Sequence, residues 1–198
     1  MSHPNNKTSL SSVDNQEIEL IVGNSSANFS GVTSTMLQVT SLQKHMINLR
    51  IMGKHFVPDP SMTITFWEVA KMCRRPLSNG KWRIFHARRV DEMIQGVILK
   101  YVFRAKIKLV FSSAAQRKRS ASTVWLSNKM DAVIAMSNRS AKYLNKPPAK
   151  INLHGVQIDN YTPAENKQEA WQALGYGGKY GIGILGRVRE QKGVHLFV

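Results

Sequence analysis

IELIVGNSSANFSGVTSTMLQVTSLQKHM, Ile18 to Met46, is the stretch whose reading decides the fold. Its apolar run Ile18 to Val22 stops at the turn-forming pair Gly23-Asn24, as a short buried strand does. After a polar loop, Val32, Met36, Val39 and Leu42 recur at helical spacing, which predicts a helix with those four residues on its core face. The unit is strand, loop, helix.

The same alternation continues downstream. Short strands are predicted at NLRIMG (Asn48 to Gly53), WRIFHA (Trp82 to Ala87), KIKLVFSS (Lys106 to Ser113), DAVIAMS (Asp131 to Ser137) and KINLHG (Lys150 to Gly155). Helices are predicted near Ile64 to Met72, Asp91 to Phe103, Ala121 to Lys129 and Asn138 to Asn145. Wholly apolar short strands separated by helices require a parallel sheet covered on both faces, so the expected class is α/β, a Rossmann-like doubly wound parallel sheet. Ligands of such sheets bind beyond the carboxyl ends of the strands.

Composition changes after Gly155. A proline, a short helix-forming stretch and the glycines Gly175, Gly177 and Gly178 read as a connector, and KYGIGILGRV reads as the first strand of a second domain. The expected organisation is a disordered start over 1–15, one sheet domain over 16–158, a connector over 159–179 and a truncated second domain beginning over 180–198.

In this 198-residue chain, 42% hydrophobic residues are enough to bury a core, and a net charge of +16 favours anionic partners. The charge is concentrated: twelve Lys and Arg fall between Lys100 and Lys150, against Asp131 alone. Nucleic acid, an anionic membrane face and sugar phosphates all suit such a zone. Cys73 is the sole cysteine, which excludes an intrachain disulfide framework and a cysteine-built zinc site. The first fifteen residues carry no apolar core of a signal peptide, and no run approaches the roughly 20 apolar residues that span a bilayer. A cytoplasmic location is therefore expected. MIQGVILKYVF, Met93 to Phe103, places Ile94, Val97, Ile98, Tyr101 and Val102 on one helical face, read first as core-packing and second as a peripheral membrane contact.

GIGILGRVREQKG, Gly181 to Gly193, contains G-x-G-x-x-G, but its glycines are interleaved with strand residues and no helix opens at Gly186. A dinucleotide fingerprint needs the glycines after the strand, and a phosphate-binding P-loop needs glycine followed by Lys-Ser/Thr, so neither reading fits. What remains is a glycine-flanked turn bearing Arg187, Arg189 and Lys192, suited to a diphosphate or to a solvated loop.

Here the residues acquire a resemblance. GRVREQKG resembles the G-R-x-x-x-x-K-G segment opening the second domain of retaining nucleotide-sugar glycosyltransferases with the GT-B fold. HGVQIDNY resembles their N-G-V-D-x-x-x-F segment, and SGVTSTMLQ their loop and helix after the first strand. KLVFSSAAQRKRSASTVWLSNKMDAVIAMSNRSAKYL, with FHARRVDEM, is similar to lipopolysaccharide core biosynthesis mannosyltransferases of alpha-proteobacteria.

The resemblance implies transfer of mannose from GDP-mannose to a lipopolysaccharide core acceptor, with retention. It implies no metal and no cofactor beyond the nucleotide-sugar substrate. The first domain becomes the acceptor side, and 180–198 the start of the donor side. Gly31, Arg187 and Lys192 take the donor diphosphate, and His86 becomes the candidate catalytic residue facing acceptor and reacting sugar. Arg88, Arg89, Arg117, Lys118 and Arg119 form the expected acceptor or anionic surface, toward lipid A precursors on the inner membrane. His154, Gln157 and Tyr161 depart from the usual Asn, Asp and Phe. The family's paired-glutamate segment should lie beyond Val198, so the isolated chain is expected to have little transferase activity. The rival is a non-catalytic basic module for nucleic acid or anionic lipid. Without zinc spacing, an RNA-recognition aromatic signature or a helix-turn-helix, nucleic acid is not expected.

Overall fold

The computed structural model describes residues 17–155, 158, 162–175, 177–184, 190 and 193–196. Within them, seven strands form one sheet in the order β3-β2-β1-β4-β5-β6-β7, every pair parallel. The strands are β1 (Leu20–Gly23), β2 (Leu49–Met52), β3 (Thr63–Ile64), β4 (Arg83–Ala87), β5 (Ile107–Ser113), β6 (Ala132–Ala135) and β7 (Lys150–Ile151). The helices are α1 (Gly31–Gln43), α2 (Phe66–Met72), α3 (Val90–Val97), α4 (Ala121–Asn128), α5 (Asn138–Ala141) and α6 (Lys167–Ala173).

The chain starts at the centre with β1, winds outward to β2 and β3, and returns through α2 to β4 on the other side of β1. Winding reverses between β1 and β4, so their carboxyl ends flank a topological switch point.

Strand alternation divides the core into two layers. Leu20, Val22, Leu49 and Ile51 pack with Met36 of α1 on one face. Ile21, Met52, Phe85, Ala87, Ile107, Leu109 and Phe111 face the other way, against Val69, Ala70 and Cys73, Met93 of α3, Leu99 and Leu126 of α4. Each fully buried aliphatic or aromatic side chain contributes about 1.5 to 3 kcal/mol, and the pairing of two such layers holds the sheet.

Two predicted helix faces are corrected. On α1 the buried residues are Thr33, Met36 and Thr40, while Val39 and Leu42 are exposed. Thr40 can take a core position because its hydroxyl donates to the Met36 carbonyl at 2.8 Å, leaving no unpaired polar atom. On α3 the buried residues are Glu92, Met93 and Gly96, and Leu99 follows. Ile94, Ile98, Tyr101 and Val102, expected inside, are exposed. A π-helical turn over Ile98–Val102 underwinds the end of this helix and carries Leu99 into the core in their place.

Two smaller corrections follow, the first from strand pairing. Ile64, read as the start of a helix, belongs with Thr63 to the edge strand β3, and α2 begins at Phe66 behind a capping box of Thr65 and Glu68. The helix expected over Asn138 to Asn145 keeps only Asn138–Ala141.

Two compact units divide the chain, Met1–Gly155 and Val156–Val198. In the second, α6 is capped by Asn166, whose side chain accepts from the amides of Gln168 and Glu169. Tyr180–Ile184, expected to begin a strand, pair with no neighbouring strand among the described residues. A strand exists only through its ladder partner. Leu185 to Arg189 lie outside the described residues. Among the described residues no helix is long and apolar enough to cross a membrane.

Candidate functional site at the switch point

The loops that leave β1 and β4 are clasped together, and one buried carboxylate makes the clasp. Glu92 of α3 is fully buried and accepts from the backbone amides of Arg88 and Arg89 at 2.7 and 3.1 Å. It also accepts from the Arg89 guanidinium at 3.2 Å, and from the amide and hydroxyl of Ser25 at 3.4 Å each. A carboxylate with this many donors can be buried because its charge and lone pairs are all occupied.

Arg89 extends the clasp to α1. Its second terminal nitrogen donates to Ser30 Oγ at 3.1 Å and Thr33 Oγ1 at 2.9 Å, at the N-terminus of that helix. Gly31 is the next residue after Ser30, and a Cβ placed there would meet nothing within 4 Å. The fold therefore does not require glycine at this position, and open space lies against the backbone.

Beneath this loop, Asn24 is buried and its amide donates to the His55 carbonyl at 2.7 Å. Gly53 makes that approach possible: its φ is +122°, and a Cβ would stand 2.1 Å from the Asn24 carbonyl oxygen. A cavity of about 610 Å³ opens here, lined in part by Asn24, Ser25, His55, Glu68 and Gln95.

His86, the last but one residue of β4, lies across from β5, where its Nε2 and Ser112 Oγ are 2.8 Å apart. Burial, helped by the nearby Arg88 charge, pushes the imidazole down to about 3. The ring is thus neutral at physiological pH. It can exchange one hydrogen bond with Ser112 and offer its other nitrogen to a ligand, but it is not a cation.

Arg88 differs from its neighbour. Its guanidinium is deeply set, its Nη1 has no hydrogen-bond partner, and burial draws its ordinary value down to about 10, with Glu92 opposing and Arg89 assisting.

The loop after β5 carries the other expected cations. Arg117 and Lys118 are exposed, whereas Arg119 is half-buried, stacked 5.2 Å over the Phe111 ring and bonded to Ser113 Oγ. Burial lowers Arg119 as well.

Four of the expected site residues thus meet at the switch point: Gly31, His86, Arg88 and Arg89. Of these, Arg89 is engaged internally and is not part of an open anion-binding surface. Arg187 and Lys192, expected on the donor diphosphate, lie outside the described residues, as do Gln157 and Tyr161. His154 is exposed. Cys73 is buried, and burial pushes its thiol up to about 11 despite Arg83, which removes it as a nucleophile at neutral pH. Among the described residues no His, Cys, Asp and Glu group is disposed to hold a metal ion.

Glu92 and Thr33 are site residues that the sequence reading missed, whereas Ser30 and Ser112 fall in the strand-end segments Asn24 to Val32 and Ser112 to Arg119 to which it points. Arg89 and Glu92 do keep capping-box spacing, but an arginine in the cap position hides the usual Ser/Thr-x-x-Glu signature.

The fold defines a class: a Rossmann-like doubly wound unit with one parallel sheet. HepE of Anabaena, in a crystal structure with UDP-glucose, superposes with a TM-score of 0.52 at 16% identity, over 80% of this chain and 50% of that one. Its structure with UDP and glucose gives a TM-score of 0.51 at the same identity and coverage.

In sequence the chain is homologous to lipopolysaccharide core biosynthesis mannosyltransferases. It is 38% identical over 187 residues to LpcC of Rhizobium leguminosarum bv. viciae, covering 93% of this chain and 52% of that protein. It is 37% identical over 188 residues to LpsB of Rhizobium meliloti (strain 1021), covering 94% and 53%. The chain spans about half the length of these curated relatives. No protein-family model matches it.

Proposed function

We propose that this chain is the acceptor-side half of a retaining mannosyltransferase that moves mannose from GDP-mannose to a lipopolysaccharide core acceptor. The observation that carries the reading is the identity of 37 to 38% to two lipopolysaccharide core mannosyltransferases across nearly the whole chain.

The geometry supports it. Open space at Gly31, beside the N-terminus of α1, admits a diphosphate to the backbone, where free amides and the helix dipole favour negative charge. Arg187 and Lys192 would supply the positive charge that stabilises the departing GDP, so that no metal is called for. A neutral His86, oriented by Ser112, would hydrogen-bond a hydroxyl of the reacting or acceptor sugar and would not act as a cationic acid.

The exposed Arg117 and Lys118 would dock on the phosphates of a lipid A precursor or on an anionic inner-membrane surface, placing the protein on the cytoplasmic face. The same exposed charge would serve a nucleic-acid partner, but nothing at the switch point resembles base recognition.

A chimaera tests the reading. This chain would be joined to the portion of the Rhizobium leguminosarum relative that it does not span, and assayed with a lipopolysaccharide core acceptor. Mannose transfer from GDP-mannose is expected, with none from UDP-glucose and none by the 198-residue chain alone. Transfer of glucose from UDP-glucose, or transfer by the chain alone, would overturn the assignment.

A further inference from the structure

The arginines set into the sheet unit divide by how they are compensated; the half-buried Arg119, bonded to Ser113 Oγ and stacked on Phe111, keeps two nitrogens without a partner, Nε and Nη1. Arg83 donates to the carbonyls of Ile18 and Arg75 and lies 3.6 Å from Glu17. Arg89 has Glu92, Ser30 and Thr33. Arg88 has none of these: its guanidinium forms no hydrogen bond or ion pair with the described residues, and its Nη1 is cut off from solvent without a partner.

Glu92 cannot make good the deficit. Its two oxygens already take Arg88 N, Arg89 N, the Arg89 guanidinium and Ser25, so one carboxylate stands against two guanidinium groups. The Arg88 charge is left over at the switch point. An embedded, unpaired charge costs several kcal/mol, and a fold carries one where something else completes it.

Its backbone is held as firmly as that of a binding residue. The Arg88 amide is fixed on Glu92 at 2.7 Å, two residues beyond the histidine that is paired to Ser112. The fork is planar and offers parallel N–H donors, which match two oxygens of one carboxylate or phosphate.

We infer that Arg88 is the receptor for one oxyanion of the molecule bound at the switch point, a carboxylate or phosphate group gripped beside His86. This deepens the glycosyltransferase reading, and depends on it only for whether the oxyanion belongs to the acceptor or to the donor. Without ligand, Arg88 is a liability to the fold; with it, the charge is neutralised and the bound group is aligned next to the neutral imidazole.

The test needs no sugar transfer, so it can fail independently of the proposed activity. Thermal unfolding and amide NMR of the 198-residue chain, Arg88→Met and Lys81→Gln would be followed with methyl glucuronide, neutral methyl glucoside, inorganic phosphate and GDP. In the native chain the anionic probes should raise the melting temperature and shift the amides of Ala87, Arg88 and Ser112, while methyl glucoside does neither. Lys81→Gln, at an exposed residue just before β4, should respond like the native chain. Arg88→Met should lose the response and, unliganded, melt at the same temperature or higher, because an uncompensated charge has been removed. A response to glucuronide or phosphate would place the oxyanion on the acceptor, and one to GDP alone on the donor; either sustains the receptor. Anion shifts that persist in Arg88→Met would overturn it, as would an unliganded Arg88→Met several degrees less stable than the native chain, since Arg88 would then be a structural cation.

Discussion

Arg89 and Glu92 stand 3.2 Å apart, three residues distant in sequence, and between them they tie the loop after β1 and the start of α1 to the loop after β4. Glu92→Gln would keep the shape but remove the charge from a fully buried position that serves an arginine and several amides. Breaking one side of a buried pair costs about 3 to 5 kcal/mol because the partner is left uncompensated. The variant should show a denaturant midpoint lowered accordingly with an unchanged slope. The double variant with Arg89→Met should lose less than the sum of the two single losses, and strict additivity would mean that the pair does not act as a unit.

Two glycines separate what the fold needs from what a ligand needs. Gly53→Ala forces a Cβ to within 2.1 Å of the Asn24 carbonyl at a φ of +122°, and should cost about 2 kcal/mol or more in urea unfolding. Gly31→Ala meets open space at the first position of α1, where alanine is the better helix former, so stability should stay within about 0.5 kcal/mol of the native value or rise. In the chimaera, however, the same methyl should weaken GDP-mannose binding. An unstable Gly31→Ala with normal donor affinity would reverse the assignment of that loop.

How much of this was legible in sequence follows the range of the interactions. Six of the seven strands lie in segments read as strands: β1, β2 and β5 are largely buried and write that burial into their own residues, whereas β7 is two exposed residues at the sheet edge, and the seventh, Thr63–Ile64, exists by pairing with β2. The core faces of α1 and α3 were not legible. Thr33 and Thr40 are buried where Val39 and Leu42 are not, since their hydroxyls find partners in Arg89 and the Met36 carbonyl. At the site, His86 could be singled out at a strand end, its expected role coming from the family resemblance. Its partner Ser112, and the bonds from Arg89 to Ser30 and Thr33, join residues 26 to 59 apart and have no local pattern.

His86 gives the protein a pH dependence of definite sign. Its folded value is about 3, below the ordinary 6.5, so between those limits the unfolded chain binds more protons and stability falls as pH falls. Below about pH 3 the loss is complete, and above 6.5 the histidine has no effect. Because the ring keeps some solvent contact, the loss should be roughly 2 to 4 kcal/mol. Asp131 adds to the acid loss at lower pH. Burial works to raise it, but the hydrogen bonds from Lys100 and the Leu109 amide, with the Lys100 and Lys108 charges, hold it below the ordinary carboxylate value of 3.8. His86→Gln should flatten urea stability between pH 6 and 4 while leaving the Asp131 limb. An unchanged slope in that window would show that the imidazole is accessible to protons in the folded state.

The last expectation concerns the basic surface, where exposure matters more than count. Arg117 and Lys118 project into solvent on the loop after β5, while Arg119 is folded back over Phe111. Each basic residue near an anionic leaflet contributes about 1 kcal/mol, so Arg117→Glu with Lys118→Glu should weaken binding to phosphatidylglycerol-containing vesicles by roughly thirtyfold or more. Arg119→Gln should change it little. Near 1 M salt, where the Debye length shrinks to about 3 Å, vesicle binding by the native chain should largely disappear. The exposed Tyr101, Val102 and Trp125 offer the contrasting mode, because Lys129 lies over both aromatic rings and links α3 and α4 into one apolar and cationic face. Binding that survives high salt and is lost on Tyr101→Ser with Trp125→Ser would move the membrane contact from the β5 loop to that face.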